Sequence, residues 1–220
     1  IISGIAWDHI NVFPTFDIYV EQFKIFADTI PEKGAFIYCQ EDENCCKIAA
    51  QSKVKHCHPY SLPKYRIDNR QYILLTKDKE FPLQIFGKHN LMNLNAARWA
   101  CHYAGISEND FYTAISTFKG ASKRLELIKE TPSFTMYKDF AQSPSKLKAT
   151  IDAVTEKFPD RQTIACLELH TFSSLTAEFL QQYAHTMDKA SVPIVYFNPH
   201  TIAHKKLPPI TNEMIFNAFQ

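Results

Sequence analysis

Gly87-Lys88-His89-Asn90-Leu91-Met92-Asn93 is the stretch on which the reading of the fold turns. Before it, residues 65–86 form β-rich runs separated by the turn signals Asp68-Asn69 and Lys77-Asp78, which predicts an antiparallel appendage. After it the period is helical, over residues 89–103 and 108–118, with Gly105 suited to end the first helix and Ser107 to cap the second. Gly87 is the break between the two regimes. Asn90 and Asn93, three apart, share a face of the helix that follows. Paired amides donate and accept at once, as the edge of adenine requires, and the free N–H groups of a helix start favour an anion. Capping by Asn accounts for the same spacing without a ligand.

Towards the N-terminus, residues 1–6 are short and apolar, as a buried parallel strand is. Thr15 is placed to cap a helix over residues 16–29, with Phe16, Val20, Phe23 and Ala27 on its apolar face and Pro31 just beyond. A strand at 35–39, a helix at 43–51 and a strand at 54–58 follow. On the other side, Lys119-Gly120-Ala121-Ser122 is a small, flexible joint. Beyond it strands are expected at 124–129, 134–137, 163–168 and 193–197, and helices at 145–158, 176–189 and 212–219. The fold class is therefore α/β, with a mostly parallel sheet expected in the second part.

The chain has 220 residues, 45% hydrophobic and 21% charged, with a formal net charge of +1. That balance provides no electrostatic footprint for nucleic acid. No apolar run reaches the roughly 18–20 residues that a bilayer crossing needs, so no membrane partner is expected. The six cysteines, at 39, 45, 46, 57, 101 and 166, have no regular spacing and no C-x₂-C pair. Free thiols in a reducing compartment, the cytoplasm, are the expectation. Both ends read as cut, since the chain opens at Ile1 inside an apolar run and stops at Gln220 after an amphipathic stretch.

Three further clusters follow strands, where open α/β sheets hold ligands. Asp8 and His9, with Trp7, Ile10 and Asn11, offer oxygen and nitrogen donors to a metal–nucleotide, or simply a turn. Lys123-Arg124 precedes Asp139-Phe140-Ala141-Gln142-Ser143-Pro144. Arg124 can grip a phosphate or carboxylate through its planar fork, with Asp139 to orient it, or the two can form a surface ion pair. Leu169-His170-Thr171-Phe172-Ser173-Ser174 is a candidate substrate contact or only a helix cap. No G-x-x-x-x-G-K-[ST] loop is present.

Taken in order, these clusters resemble the Mur ligase family. Asp8-His9 is similar to its D-H after a central-domain strand. Gly87-x-His89-Asn90-x-x-Asn93 with Ala96-Ala97 is similar to its G-x-H-N-x-x-N-x-x-A-A. Phe118-x-Gly120 with Lys123-Arg124 resembles its F-x-G-x-x-R-R, and Asp139-Phe140-Ala141 with Pro144 resembles D-[FY]-[AG]-H-H-P. The resemblance implies the back part of a central ATPase domain over residues 1–118 and a Rossmann-like C-terminal domain over 119–220. The phosphate loop is then expected upstream of Ile1, in a missing N-terminal region.

It also implies an ATP- and Mg²⁺-dependent amide ligase that activates a carboxylate as an acyl phosphate. By resemblance, His9 and Asp8 serve Mg²⁺, and His89, Asn90 and Asn93 serve the nucleotide. Arg124 and Asp139 are the catalytic pair, and Gln142, Ser143 and His170 meet the incoming amine. Arg124-Leu125-Glu126-Leu127 and Tyr137-x-Asp139-Phe140-Ala141 are most similar to members joining UDP-N-acetylmuramate to L-Ala-γ-D-Glu-meso-diaminopimelate in murein recycling. The alternatives are the muramate–L-alanine members or a binding module without turnover. The chain alone is expected to be inactive. It departs from the family pattern at Asn11, Lys123 and Gln142-Ser143, where Asp, Arg and His-His are usual.

Overall fold

Thr15 starts the first helix through its hydroxyl, which accepts from the Ile18 N–H at 3.3 Å and satisfies one orphan donor of the first turn. In this computed structural model, which describes residues 1–220, that helix is α1, Phe16–Asp28. The strand β1 (Ala35–Cys39) follows, then α2 (Glu43–Gln51), capped by Asp42. β2 (His56–Tyr60) runs parallel to β1, with Ala35 opposite His56 and Cys39 opposite Tyr60. The opening residues expected as a strand form only a parallel bridge, Ile2 to Tyr38, although Ile2 and Ile5 are buried.

β3 (Tyr65–Asp68), β4 (Gln71–Leu75) and β5 (Glu80–Leu83) form the antiparallel appendage. Then come α3 (Lys88–Tyr103) and α4 (Glu108–Ile115). The start of α3 has no side-chain cap and no acid in its first turn. What holds it is burial: Leu91, Leu94 and Ala96 are each under 5% exposed. Burying one leucine contributes about 1.5–3 kcal/mol, more than the roughly 1 kcal/mol of a typical cap. Gly105, at φ 80°, closes the helix, with the Ile106 N–H donating to the Cys101 carbonyl.

The chain divides into two compact units. One comprises Ile1–Trp7 and Phe13–Lys119; the other comprises Asp8–Val12 and Gly120–Gln220. In the second unit β6 (Glu126–Glu130) and β7 (Thr135–Lys138) form an antiparallel pair of their own. The short turn between them permits no parallel crossover, which needs a dozen residues or more. A mostly parallel sheet was expected here; instead parallel pairing is confined to β8 (Ile164–Leu169) and β9 (Val192–Phe197), which follow α5 (Pro144–Lys157).

The helix expected at 176–189 is broken. Only α6 (Ala177–Leu180) is α-helical, flanked by 3₁₀ turns at Ser173–Leu175 and Gln181–Tyr183. The Thr186 hydroxyl donates to the Tyr183 carbonyl at 2.6 Å, and His185 takes a left-handed φ of 60°, so the helical ladder stops there. Burial of Phe179, Leu180, Tyr183 and Met187 in the unit's core fixes this irregular path. α7 (Pro199–His204) starts with Asn198 as its cap. α8 (Asn212–Ala218) ends the chain. The β8–β9 pair turns Leu167 and Leu169 inward, while Ile164, Ile194 and Tyr196 on its other face are 45–65% exposed.

Candidate functional site

Within the first unit, Gly87 sits at φ 86°, in the left-handed half of backbone space that glycine tolerates best. This bend lets the Gly87 carbonyl accept from both the Asn90 and Leu91 N–H groups. The Asn90 side-chain nitrogen donates to the Phe86 carbonyl at 2.8 Å, which fixes the amide plane. Its Oδ1 makes no hydrogen bond within the chain and stays available as an acceptor. Asn93 is exposed and His89 half-buried on the same helix start, opposite the buried Leu91 and Leu94.

Sequence reasoning passed over the carboxyl ends of β1 and β2. Asp42 accepts from the Ile5 N–H at 2.8 Å and the Cys45 N–H at 2.9 Å, tying the opening residues to α2. The Tyr60 hydroxyl is buried without a partner, and burial pushes its pKa up. Burial likewise raises the thiol pKa of Cys39 and Cys45, which suits inert core residues. The signal for Asp42 was an acid directly before the helical run that starts at Glu43, the N-cap position. Tyr60 ends an irregular run, His56-Cys57-His58-Pro59, whose pattern is silent about burial.

In the second unit the segment Asp8–Val12 is pinned by the Ile10 N–H, which donates to Ser173 Oγ at 3.4 Å. Asp8 Oδ1 accepts from the His9 N–H at 2.7 Å, and His9 has a left-handed φ of 56°. Tyr183 lies fully buried nearby; its pKa is raised by burial first and by the Asp8 charge second. Its hydroxyl donates to the Gln142 carbonyl at 2.5 Å. The Gln142 side-chain oxygen is buried with no partner, and Ser143 caps α5 without a side-chain bond.

Arg124 is exposed, and its guanidinium lies 5.9 Å from the centre of the Phe140 ring. The Phe140 ring is in turn 6.4 Å from that of His170. Asp139 makes no ion pair with the Arg124 fork. Its Oδ2 accepts from the Leu125 N–H at 3.0 Å and from the Thr150 hydroxyl at 3.3 Å. The acid thus acts on the backbone beside Arg124 rather than on the guanidinium. The structure therefore joins Tyr183 to Gln142 by a hydrogen bond, with the Asp8 charge felt at Tyr183, and sets Arg124, Phe140 and His170 in a separate row. His89, Asn90 and Asn93 belong to the other unit.

No group of three or more His, Cys, Asp or Glu side chains is placed to enclose a metal ion. Asp8 and His9 fit only a cation whose remaining ligands come from phosphate oxygens and water, the habit of Mg²⁺. No helix is long and apolar enough to cross a membrane, and all six cysteines are free.

No family model matches the chain. Among curated proteins it is similar to the UDP-N-acetylmuramate–L-alanine ligase of Lactococcus lactis subsp. cremoris strain MG1363. The two are 29% identical over 200 residues, 86% of this chain and 44% of the relative. The enzyme of the same name from Carboxydothermus hydrogenoformans is 25% identical over 227 residues, 98% of this chain and 48% of that one. The chain thus spans about half the length of the curated relatives it matches. In structure it is similar to MurF from Acinetobacter baumannii, with a TM-score of 0.70 at 16% identity, over 99% of this chain and 49% of that one. It is also similar to a murein peptide ligase from Psychrobacter arcticus, with a TM-score of 0.59 at 22% identity, over 92% and 44%. The mixed α/β fold is that of Mur ligase domains, and the names of the sequence relatives support the same family.

Proposed function

We propose that the chain is part of an ATP-dependent ligase that joins the carboxylate of UDP-N-acetylmuramate to the amine of a murein peptide. The observation that carries this reading is the Arg124–Phe140–His170 row, which sets a cation over an aromatic ring that itself neighbours a histidine. Two residues beyond Phe140, the Gln142 side-chain oxygen has no hydrogen-bond partner. Forming an acyl phosphate concentrates negative charge on transferring oxygens, and a planar guanidinium aimed at them stabilises that charge. Gln142 Oε1 and His170 then receive the amine and hold it for attack, and Ser143 lines the same approach.

On the nucleotide side, Asn90, whose amide nitrogen is tied to the Phe86 carbonyl and leaves its oxygen to accept, would hold adenine together with Asn93 and His89. Asp8 and His9 would hold Mg²⁺, which, when bound, neutralises phosphate charge. The work sits in a reducing, cytoplasmic setting, in keeping with six unpaired thiols.

The acceptor we favour is the tripeptide L-Ala-γ-D-Glu-meso-diaminopimelate, as the sequence around Arg124 and Asp139 suggests. A second reading, free L-alanine, draws support from the names of the curated relatives. The test is phosphate release by the full-length protein given ATP, UDP-N-acetylmuramate and each acceptor separately. Release with the tripeptide and not with alanine is expected; the reverse selects the second reading, and no release with either refutes the ligase. The 220-residue chain by itself is expected to release none, because it contains no G-x-x-x-x-G-K-[ST] cradle.

A further inference from the structure

Arg124 is held in an unusual way. The residues on either side of it, Lys123 and Leu125, both take left-handed backbone angles, φ 57° and 47°. For residues with a Cβ such angles are strained and persist only where neighbours over-determine them. Four bonds do so here, beginning with the Lys123 N–H, which donates to Glu126 Oε2 at 2.7 Å, and the Arg124 N–H, which donates to the Ala121 carbonyl at 3.1 Å. The Phe140 N–H donates to the Lys123 carbonyl at 3.0 Å, and the Leu125 N–H donates to Asp139 Oδ2 at 3.0 Å. The same Oδ2 receives the Thr150 hydroxyl from α5 at 3.3 Å. Leu125 itself is buried, so its N–H has little water to turn to if the acid moves.

Thr150 has the chemistry of an orienting group. A carboxylate on a loop between a strand and a helix rotates freely unless a second donor fixes it, and Thr150 is the one side chain that donates to it. α5 is anchored by Leu147 and Ile151, both buried on either side of Thr150, so the hydroxyl is delivered from a rigid element.

We infer that Thr150 is a positioning residue: through Asp139 it clamps the strained Lys123–Leu125 backbone and so fixes where the Arg124 guanidinium stands over Phe140. The inference rests on the reading of Arg124 as the group that meets transferring phosphate. Thr150 touches no substrate and contributes only through the clamp.

The test uses Thr150→Val, which keeps the shape and removes the donor, with Thr150→Ser as the conservative partner. In the 220-residue chain, exchange of the Leu125 amide should be slow in the wild type and faster by about tenfold in Thr150→Val. Thr150→Ser should restore it. In the full-length protein, Thr150→Val should lower kcat about three- to tenfold with little change in KM for ATP and no shift in melting temperature. A Leu125 amide that exchanges freely in the wild type overturns the clamp whether or not the protein is a ligase. An active parent whose kcat survives Thr150→Val while Leu125 loses protection overturns the clamp's role and leaves the ligase reading intact. A full-length protein with no ligase turnover removes the reading of Arg124, and the catalytic purpose of Thr150 with it, whatever Leu125 does.

Discussion

Arg124 is exposed between two residues in left-handed backbone, with its guanidinium over an aromatic ring. A group so placed works through direction as much as through charge. Arg124→Ala in the full-length protein should therefore lower kcat by about 10²–10³-fold, the usual effect of deleting one donor to transition-state charge. Arg124→Lys should recover little of that, because an ammonium cannot reproduce the two-pronged grip. Steady-state phosphate release measures both, and a lysine variant as active as the wild type would refute the argument from geometry. The candidate Arg124 was readable in the sequence because a cation after a small, glycine-containing joint is rare enough to notice. The use made of Asp139 was not, because it depends on a fold of the backbone that brings residue 125 against residue 139. Spacing in the chain carries no such information.

Elements divided along similar lines. α1, α2 and α4 announce themselves through Thr15, Asp42 and Ser107, each of which accepts an N–H three residues on. The path after Ser174 does not, since its shape is set by what Tyr183 reaches. Tyr183→Phe should accordingly do more than remove one hydroxyl. It leaves the half-buried Gln142 backbone carbonyl without its donor, a loss of about 1 kcal/mol, and frees the loop before α5. Urea unfolding should detect the first effect, and a rise in KM for the amine substrate in the full-length protein should report the second. Conversely, the broken helix could not be read from the apolar spacing of residues 176–189. Phe179, Leu180, Tyr183 and Met187 fit a helical stripe and a folded-back loop equally well, and the hydroxyl of Thr186 decides between them.

Over the molecule as a whole, tyrosines set the alkaline limit. Burial pushes the Tyr137 hydroxyl up to about 12, and raises Tyr60 and Tyr183 as well. In the unfolded chain these groups release protons near pH 10. The folded chain thus binds more protons than the unfolded chain above that point, so stability is full below about pH 10 and falls as pH rises towards 12. Denaturant midpoints taken across this range should slope downward, and Tyr137→Phe should flatten the slope. A midpoint that does not move would contradict the burial of these rings.

The two-stranded β8–β9 sheet has a consequence at the bench. Its outer edges carry unpaired N–H and C=O groups, and one face offers Ile164, Val192, Ile194 and Tyr196 to water. Open edges beside an apolar face invite strand-to-strand association between copies. Preparations of this 220-residue chain should grow in hydrodynamic radius with concentration, and Ile194→Lys should keep them monodisperse.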